Sequence, residues 1–119
     1  MSTYKFAKQM GGKGCFAAIS LDLLSNVAAP VEWAASLEFY ERIYGAAVTE
    51  GIQDALDWHV AAGGEPGCFL VTDFIDFPVD TKPDAVRCAA TMAAWKSLGH
   101  DENGIIFYFT DECRAKRNC

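Results

Sequence analysis

The chain has 119 residues, of which 51% are hydrophobic and 22% charged, and such values are typical of one folded soluble domain. No apolar stretch approaches the roughly 18–20 residues that span a bilayer, and lysines interrupt the N-terminus before a signal-peptide core forms. These features exclude a membrane-spanning protein. They predict a cytoplasmic protein with residues 1–119 as a single domain.

The net charge of −6 is unevenly distributed along the chain. Residues 1–21 carry three lysines and no acid, whereas residues 22–110 carry fourteen acids against four basic residues. Because phosphate contacts dominate nucleic-acid affinity, the acidic body argues against general nucleic-acid coating, and we expect no DNA partner. The basic N-terminal segment permits a local contact. A solvated acidic surface that aids solubility is the alternative interpretation.

The cysteines and histidines form no recognisable metal or disulfide pattern. An odd number of scattered cysteines is a poor disulfide framework, and none has the close spacing of a zinc ligand pair. We predict that the cysteines are small buried side chains in a reducing compartment, and that the protein holds no metal or cofactor. The two histidines lie far apart in the sequence. These residues are Cys15, Cys68, Cys88, Cys113, Cys119, His59 and His100.

The first half of the chain predicts a hairpin followed by a long helix. Residues 4–10 are expected to pair across a glycine bend with a strand over residues 15–24, whose odd-numbered side is the more apolar and half-buried. Residues 25–30 predict a loop, and residues 31–36 are ambiguous. An apolar residue at every fourth position from 40 to 60 predicts a helix that begins near Leu37. Gly45 and Gly51 weaken that helix and suggest close packing on a sheet, and Gly63 and Gly64 end it.

The second half predicts a strand, a helix and a last strand. Residues 68–77 form the strand, and Thr81 or Asp80 caps a helix that has Pro83 in its first turn and ends at Gly99. Residues 105–109 predict the last strand, and the tail over residues 111–119 is expected to fray. The order of elements predicts a two-layer α/β (α+β) sandwich, with one mixed sheet and two helices on one of its faces.

Three segments resemble domain IV of the translational GTPase elongation factor G. The first, over residues 6–23, has the family's Lys-Gln pair, a Gly-Gly-basic-Gly bend and a following aromatic residue. The second is the Ala-Val-x-x-Gly-Ile helix at residues 47–56, and the third is the alanine-rich helix at residues 86–93. The residues that match in the first segment are Lys8, Gln9, Gly11, Gly12, Lys13, Gly14 and Phe16.

The resemblance implies a fold with an unusual left-handed βαβ crossover, against the right-handed rule. In the family, two loops form a tip that enters the ribosomal decoding site. The first loop is present here, but the second, at residues 77–83, is several residues short and lacks the family's histidine. The chain also contains no phosphate-binding loop, so we do not expect a GTPase. The initial methionine and the basic tail favour a complete short chain over an excised domain.

Two functions remain open from the sequence. One is a non-catalytic translation-factor-like module that contacts the ribosome or rRNA through the glycine bend. Its candidate contact residues are Lys8, Gln9, Gly11, Gly12, Lys13 and Gly14. The other is a protein-interaction or oligomerisation module that keeps only the scaffold, and its partner would be another protein or a second copy of this chain.

Catalysis has the least support in the sequence, and we predict no catalytic residues. Asp73, Asp76 and Asp80 have the spacing of cation ligands, but the first two point to opposite faces of a strand. Acids at positions 50, 54 and 57 predict a solvated helix face. Trp58 and Trp95 fall beside the apolar stripes of their helices, where they would cover a sheet edge or an exposed patch.

Overall fold

The computed structural model describes residues 2–10, 13–24, 31–77, 79–109 and 112–118, and of residues 9, 10 and 13 only the backbone. These residues form six strands and two α-helices, and short 3₁₀ turns at Ala35–Leu37 and Glu102–Gly104 precede α1 and β5. In chain order the elements are β1 (Ser2–Met10), β2 (Lys13–Leu24), β3 (Val31–Trp33), α1 (Glu38–Ala61), β4 (Cys68–Ile75), α2 (Pro83–Ser97), β5 (Ile105–Phe109) and β6 (Cys113–Arg117).

Four strands form a mixed sheet in the order β1-β2-β4-β3. The predicted β1–β2 hairpin is confirmed, and its register runs from Ser2 opposite Leu21 to Met10 opposite Lys13. β2 and β4 are antiparallel, whereas β3 and β4 are parallel. The strands β3 and β4 with the intervening α1 therefore form a βαβ unit. The left hand of that crossover stays a prediction.

Both helices pack on one face of the four-stranded sheet, so the predicted two-layer α/β sandwich is confirmed. The prediction of one sheet is wrong, because β5 and β6 form a second, two-stranded sheet. Side chains of α1, α2 and the three long strands form one core, and its largest members are fully buried: Trp95, Phe6, Phe69, Ile19, Leu21 and Ile52. Burial of each large apolar side chain contributes about 1.5–3 kcal/mol. Among the described residues, neither helix has the length and apolar content that a membrane span requires.

The long helix α1 confirms the predicted apolar stripe except at its C-terminal end. Val48, Ile52 and Leu56 are buried, whereas Val60 is 47% exposed. Gly51 has no room for a side chain, since a Cβ atom would overlap the carbonyl oxygen of Arg87 and lie 2.9 Å from the Ala90 Cβ atom. The close approach that the sequence suggested for this glycine is therefore real, but its partner is α2 rather than the sheet.

The strand β2 differs from the half-buried strand that alternation predicts. Its odd-numbered residues from Cys15 to Leu21 are buried as expected, although Leu23 is 46% exposed. Phe16, Ala18 and Ser20 on the other face are also buried. β2 lies between two strands, and Lys5 and Ile75 stand opposite Ala18 on either side. Small side chains in the centre of a sheet are covered by such neighbours. This outer face of β1, β2 and β4 carries no helix.

The predicted frayed tail is wrong for residues 113–117, which form β6 antiparallel to β5. The β5–β6 hairpin packs on β1 and α2, where the Phe107 ring meets the Phe6 ring edge-on at 5.0 Å between centroids. The Asp84 carboxylate of α2 accepts a hydrogen bond of 2.8 Å from the Cys113 backbone N–H. The short, charged sequence of this segment does not by itself predict a strand. These tertiary contacts order it.

The four described cysteines are buried free thiols, as the sequence predicts: Cys15, Cys68, Cys88 and Cys113. The Sγ atoms of Cys88 and Cys113 lie 2.9 Å apart between α2 and β6. The thiol of Cys113, through its hydrogen bond, and burial both raise the pKa of Cys88. Cys88 therefore stays in the thiol form at neutral pH.

Candidate functional site at the hairpin end

The end of the β1–β2 hairpin lies against the segment of residues 79–82 that joins β4 to α2. Beyond the end of β4, this segment takes the place of a strand beside β2. The Phe16 backbone N–H donates to the Asp80 carbonyl oxygen at 3.1 Å, and the Thr81 hydroxyl donates to the Phe16 carbonyl oxygen at 2.6 Å. The two segments that the family resemblance placed at one tip are therefore adjacent.

Thr81 joins three segments through one buried hydroxyl group. Besides donating to Phe16, its Oγ1 atom accepts a hydrogen bond of 2.9 Å from the Phe77 backbone N–H. The predicted capping role is wrong for both candidates, because α2 has Lys82 at its N-cap with no side-chain cap bond, and Pro83 begins the helix. The polar side chains that precede α2 bind the hairpin instead of the helix terminus.

Gly14 is required by a close contact. A Cβ atom at this position would lie 2.8 Å from both Cγ and Oδ1 of Asp80, so the carboxyl group lies directly over the glycine backbone. A glycine in a bend often serves to adopt a positive φ. Among the described glycines only Gly63 and Gly99 have positive φ, and Gly14 instead gives Asp80 its place.

A shallow recess of about 290 Å³ opens at this junction. Its aromatic wall is formed by Phe16 and Phe77, whose rings stack with 4.3 Å between centroids and 29° between planes. Phe77 is 53% exposed, whereas Phe16 is buried beneath it. The Lys5 ammonium lies 5.9 Å from the centre of the Phe16 ring. We call this site the tip recess, and it is lined by Ala7, Lys8, Gly14, Cys15, Phe16, Phe77 and Asp80.

The predicted contact residues are only partly placed by the structure. Lys8 is exposed and, with Gly14, lines the tip recess. The backbones of Gln9 and Lys13 pair within the hairpin, Gln9 opposite Gly14 and Lys13 opposite Met10. The prediction for the side chains of Gln9 and Lys13, and for both residues at positions 11 and 12, falls outside the described residues. The aromatic pair was not predicted from the sequence. Phe16 follows the first loop and Phe77 begins the second, and this placement was a usable signal.

The acids that had the spacing of cation ligands do not converge. Asp76 accepts a hydrogen bond of 2.8 Å from the Tyr44 hydroxyl of α1, and burial together with this bond raises the pKa of Tyr44 to about 12. Asp73 lies on the other side of the strand, and Asp80 lies over Gly14. No group of three or more potential metal ligands is present among the residues that the structure describes.

The acidic face of α1 is more than a solvated surface. Arg87 of α2 donates to Asp54 through Nε at 2.9 Å and Nη2 at 3.1 Å, and to Glu50 through Nη1 at 2.9 Å. These contacts, led by the bond to Asp54, raise the pKa of Arg87. They border a second recess of about 230 Å³ between the helices and the β5–β6 hairpin. Of its other charged groups, Arg114 pairs with Glu112 and Asp84 accepts from the Cys113 backbone N–H.

The two histidines, distant in sequence, meet where both helices end. His59 Nδ1 and His100 Nε2 are 2.7 Å apart and share a hydrogen bond. The Trp95 ring stacks on His100 with 3.7 Å between centroids. Burial, with the nearby His59 and Arg117, lowers the pKa of His100. Trp95 is 1% exposed, so the predicted exposed patch is wrong for this tryptophan.

Comparison with known proteins supports the fold and carries no function. No protein-family model matches the chain, and no curated protein matches it. A protein of Thermus thermophilus with a known crystal structure is similar to it, with 27% sequence identity and a TM-score of 0.71. The similar region covers 82% of this chain and 15% of the Thermus chain. The part of the Thermus protein that resembles this chain is thus a small portion of a much longer protein.

Proposed function

We propose that this protein is a non-catalytic, translation-factor-like module that binds the ribosome or rRNA through the end of its β1–β2 hairpin. The observation that carries the proposal is the junction of this hairpin with residues 79–82. Phe16 of β2, which follows the first loop, is hydrogen-bonded to Asp80 and Thr81 of the second, and the resemblance to domain IV of elongation factor G assigns both loops to one tip.

The basic residues of β1 support this choice of surface. Lys5 and Lys8 are exposed on this strand, and the first 21 residues of the chain contain no acid. RNA-binding surfaces place lysines where they neutralise phosphates, and the bases are then recognised by other groups. The acidic body restricts such a contact to this end of the molecule, because its charges repel phosphate elsewhere.

Sedimentation with purified ribosomes tests the proposal. We expect the protein to pellet with ribosomes at low salt and to be released as salt rises, since phosphate contacts are salt-dependent. The variant Lys8→Ala/Lys13→Ala should pellet less. The matched control is Arg114→Ala/Lys116→Ala, which removes two positive charges from β6. A protein that never pellets, or a hairpin variant that pellets like the control, would refute the proposal.

A second candidate function is a protein-interaction or oligomerisation module. It is favoured by the outer face of α1, where Phe39 is 63% exposed and Ile43, one turn later, is 54% exposed. Adjacent exposed apolar side chains on a helix are typical of a protein contact. Light scattering at several concentrations tests self-association. A strict monomer that also captures no protein partner would count against this function.

A further inference from the structure

We propose that the tip recess binds one unpaired nucleotide of RNA, whose base stacks on Phe77 and donates an N–H bond to Asp80. This inference deepens the proposed function and rests on it for the choice of RNA as partner. It assigns the contact to a defined recess near the end of the hairpin, where β2 meets residues 79–82, and predicts a preference among bases.

The aromatic wall provides the stacking surface. Phe77 is 53% exposed although it follows directly on a buried strand, and its ring is held by the stack on Phe16. Its backbone N–H is fixed by Thr81. A rigid ring with one face against the protein and half of its surface in water is what a base requires. Base stacking on such a ring contributes to RNA affinity without requiring a particular sequence.

The recess has the size and charge for a single nucleotide. Sites for drug-sized ligands run from roughly 300 to 1,000 Å³, so a recess of about 290 Å³ suits one base rather than a larger ligand. Lys5 lies beside the aromatic pair and Lys8 lines the recess. Lys5 lies on the same face of β1 as Ala7, which stands opposite Phe16, so it can neutralise a phosphate beside a bound base. The side chain of Lys8, three residues along the strand, points to the other face of the sheet.

Asp80 supplies the base preference. Its carboxyl group lies over Gly14, while its backbone N–H and C=O are bound to Phe77 and Phe16. A carboxylate only accepts hydrogen bonds, and it pairs with the exocyclic amino group of cytosine. The base edge of uracil at the same place presents a carbonyl oxygen, which a carboxylate repels. We therefore expect cytosine to bind more tightly than uracil.

Fluorescence anisotropy with labelled six-nucleotide oligomers of cytidine and uridine tests the proposal on the full chain. We expect the cytidine oligomer to bind about tenfold more tightly, the change that one good base contact produces. An abasic oligomer with the same number of phosphates should bind most weakly. The isosteric variant Asp80→Asn keeps the backbone bonds, gains a donor, and should remove the difference between cytidine and uridine.

Two further variants separate stacking from charge. Phe77→Leu keeps an apolar side chain without a ring and should weaken cytidine binding roughly fivefold or more. The control Phe39→Leu replaces an exposed ring on α1, far from the recess in sequence, and should have no effect. Lys5→Ala should reduce the slope of log affinity against log salt by about 0.7, the value for one phosphate contact on a single strand. Lys116→Ala is the matched control for charge.

The outcomes distinguish this inference from the proposed function. Equal binding of cytidine and uridine, or wild-type affinity of Phe77→Leu, would overturn the nucleotide site even if the protein pellets with ribosomes. Selective oligomer binding without ribosome binding would support the nucleotide site and refute the proposed function. Absence of binding to every oligomer would overturn the inference and leave the recess to an apolar side chain of a protein partner.

Discussion

Two glycines of α1 should respond in opposite directions to the same substitution. Gly45 has open space, since the nearest atom to an added Cβ is the Glu41 Cγ at 3.7 Å. Gly51 faces the Arg87 carbonyl oxygen, which is backbone and cannot rotate away. Gly45→Ala gains only helix propensity, which stabilises by about 0.5–1 kcal/mol. Gly51→Ala gains the same propensity but forces the helices apart.

The cost of the overlap decides whether the substitution at Gly51 stabilises or destabilises the protein. Overpacking a close-packed contact costs roughly 1–3 kcal/mol or more, and the substitution also strains the hydrogen bond of 3.0 Å from the Thr91 hydroxyl to the Gly51 carbonyl oxygen. We therefore expect Gly51→Ala to lower the free energy of unfolding by about 2 kcal/mol. This is a large part of the roughly 5–15 kcal/mol that a domain has in total.

Urea unfolding followed by tryptophan fluorescence measures both variants under the same conditions. With a slope of roughly 1–3 kcal/mol per molar urea, the midpoint should fall by about 1 M for Gly51→Ala and rise by a few tenths of a molar for Gly45→Ala. Midpoints that move in the same direction would refute the expected overlap. Wild-type stability of Gly51→Ala would also refute it, because the helices would then have room that the structure excludes.

Three further predictions concern the hairpin end, the histidines and the thiols. Thr81→Val should lower the free energy of unfolding by about 2–4 kcal/mol in urea melts, because it removes the hydroxyl group that binds the Phe16 carbonyl oxygen and the Phe77 N–H. Thr81→Ser keeps the hydroxyl group and should recover most of this loss. Because the pKa of His100 is lowered in the folded protein, the unfolded chain binds more protons, and the free energy of unfolding should fall as pH drops below about 6.5. Melts at several pH values should show a smaller fall for His100→Gln, and an equal fall would contradict this prediction. Burial and the raised pKa of Cys88 predict that iodoacetamide labels this thiol slowly in the native protein and fast in urea. Equal labelling rates in both conditions would contradict the buried position of Cys88.

The periodicity of the sequence predicted the main elements because each one has a strong local signal. The β1–β2 hairpin follows from a glycine bend between alternating segments, and α1 follows from apolar residues at every fourth position. Pro83 and Gly99 marked the limits of α2 for the same reason, since their backbone preferences are local. The two-layer arrangement then follows, because an apolar sheet face and two apolar helix stripes bury one another.

The candidate site depended on contacts between segments that are distant in sequence. Thr81 has the local signal of a helix cap, and only the position of β2 beside it turns its hydroxyl toward Phe16. Likewise β6 has no apolar pattern of its own and is ordered by Asp84 and the core of α2.

The sequence by itself therefore determined the scaffold of this protein, its acidic body and its basic first strand. The tertiary structure decided which side chains meet: the Phe16–Phe77 stack, the carboxylate of Asp80 over Gly14, and the histidine pair between the helix ends. The physical reason is that helix and strand periodicities are properties of neighbouring residues, whereas these contacts depend on how whole elements pack. A pattern of spacing along the chain carries no record of that packing.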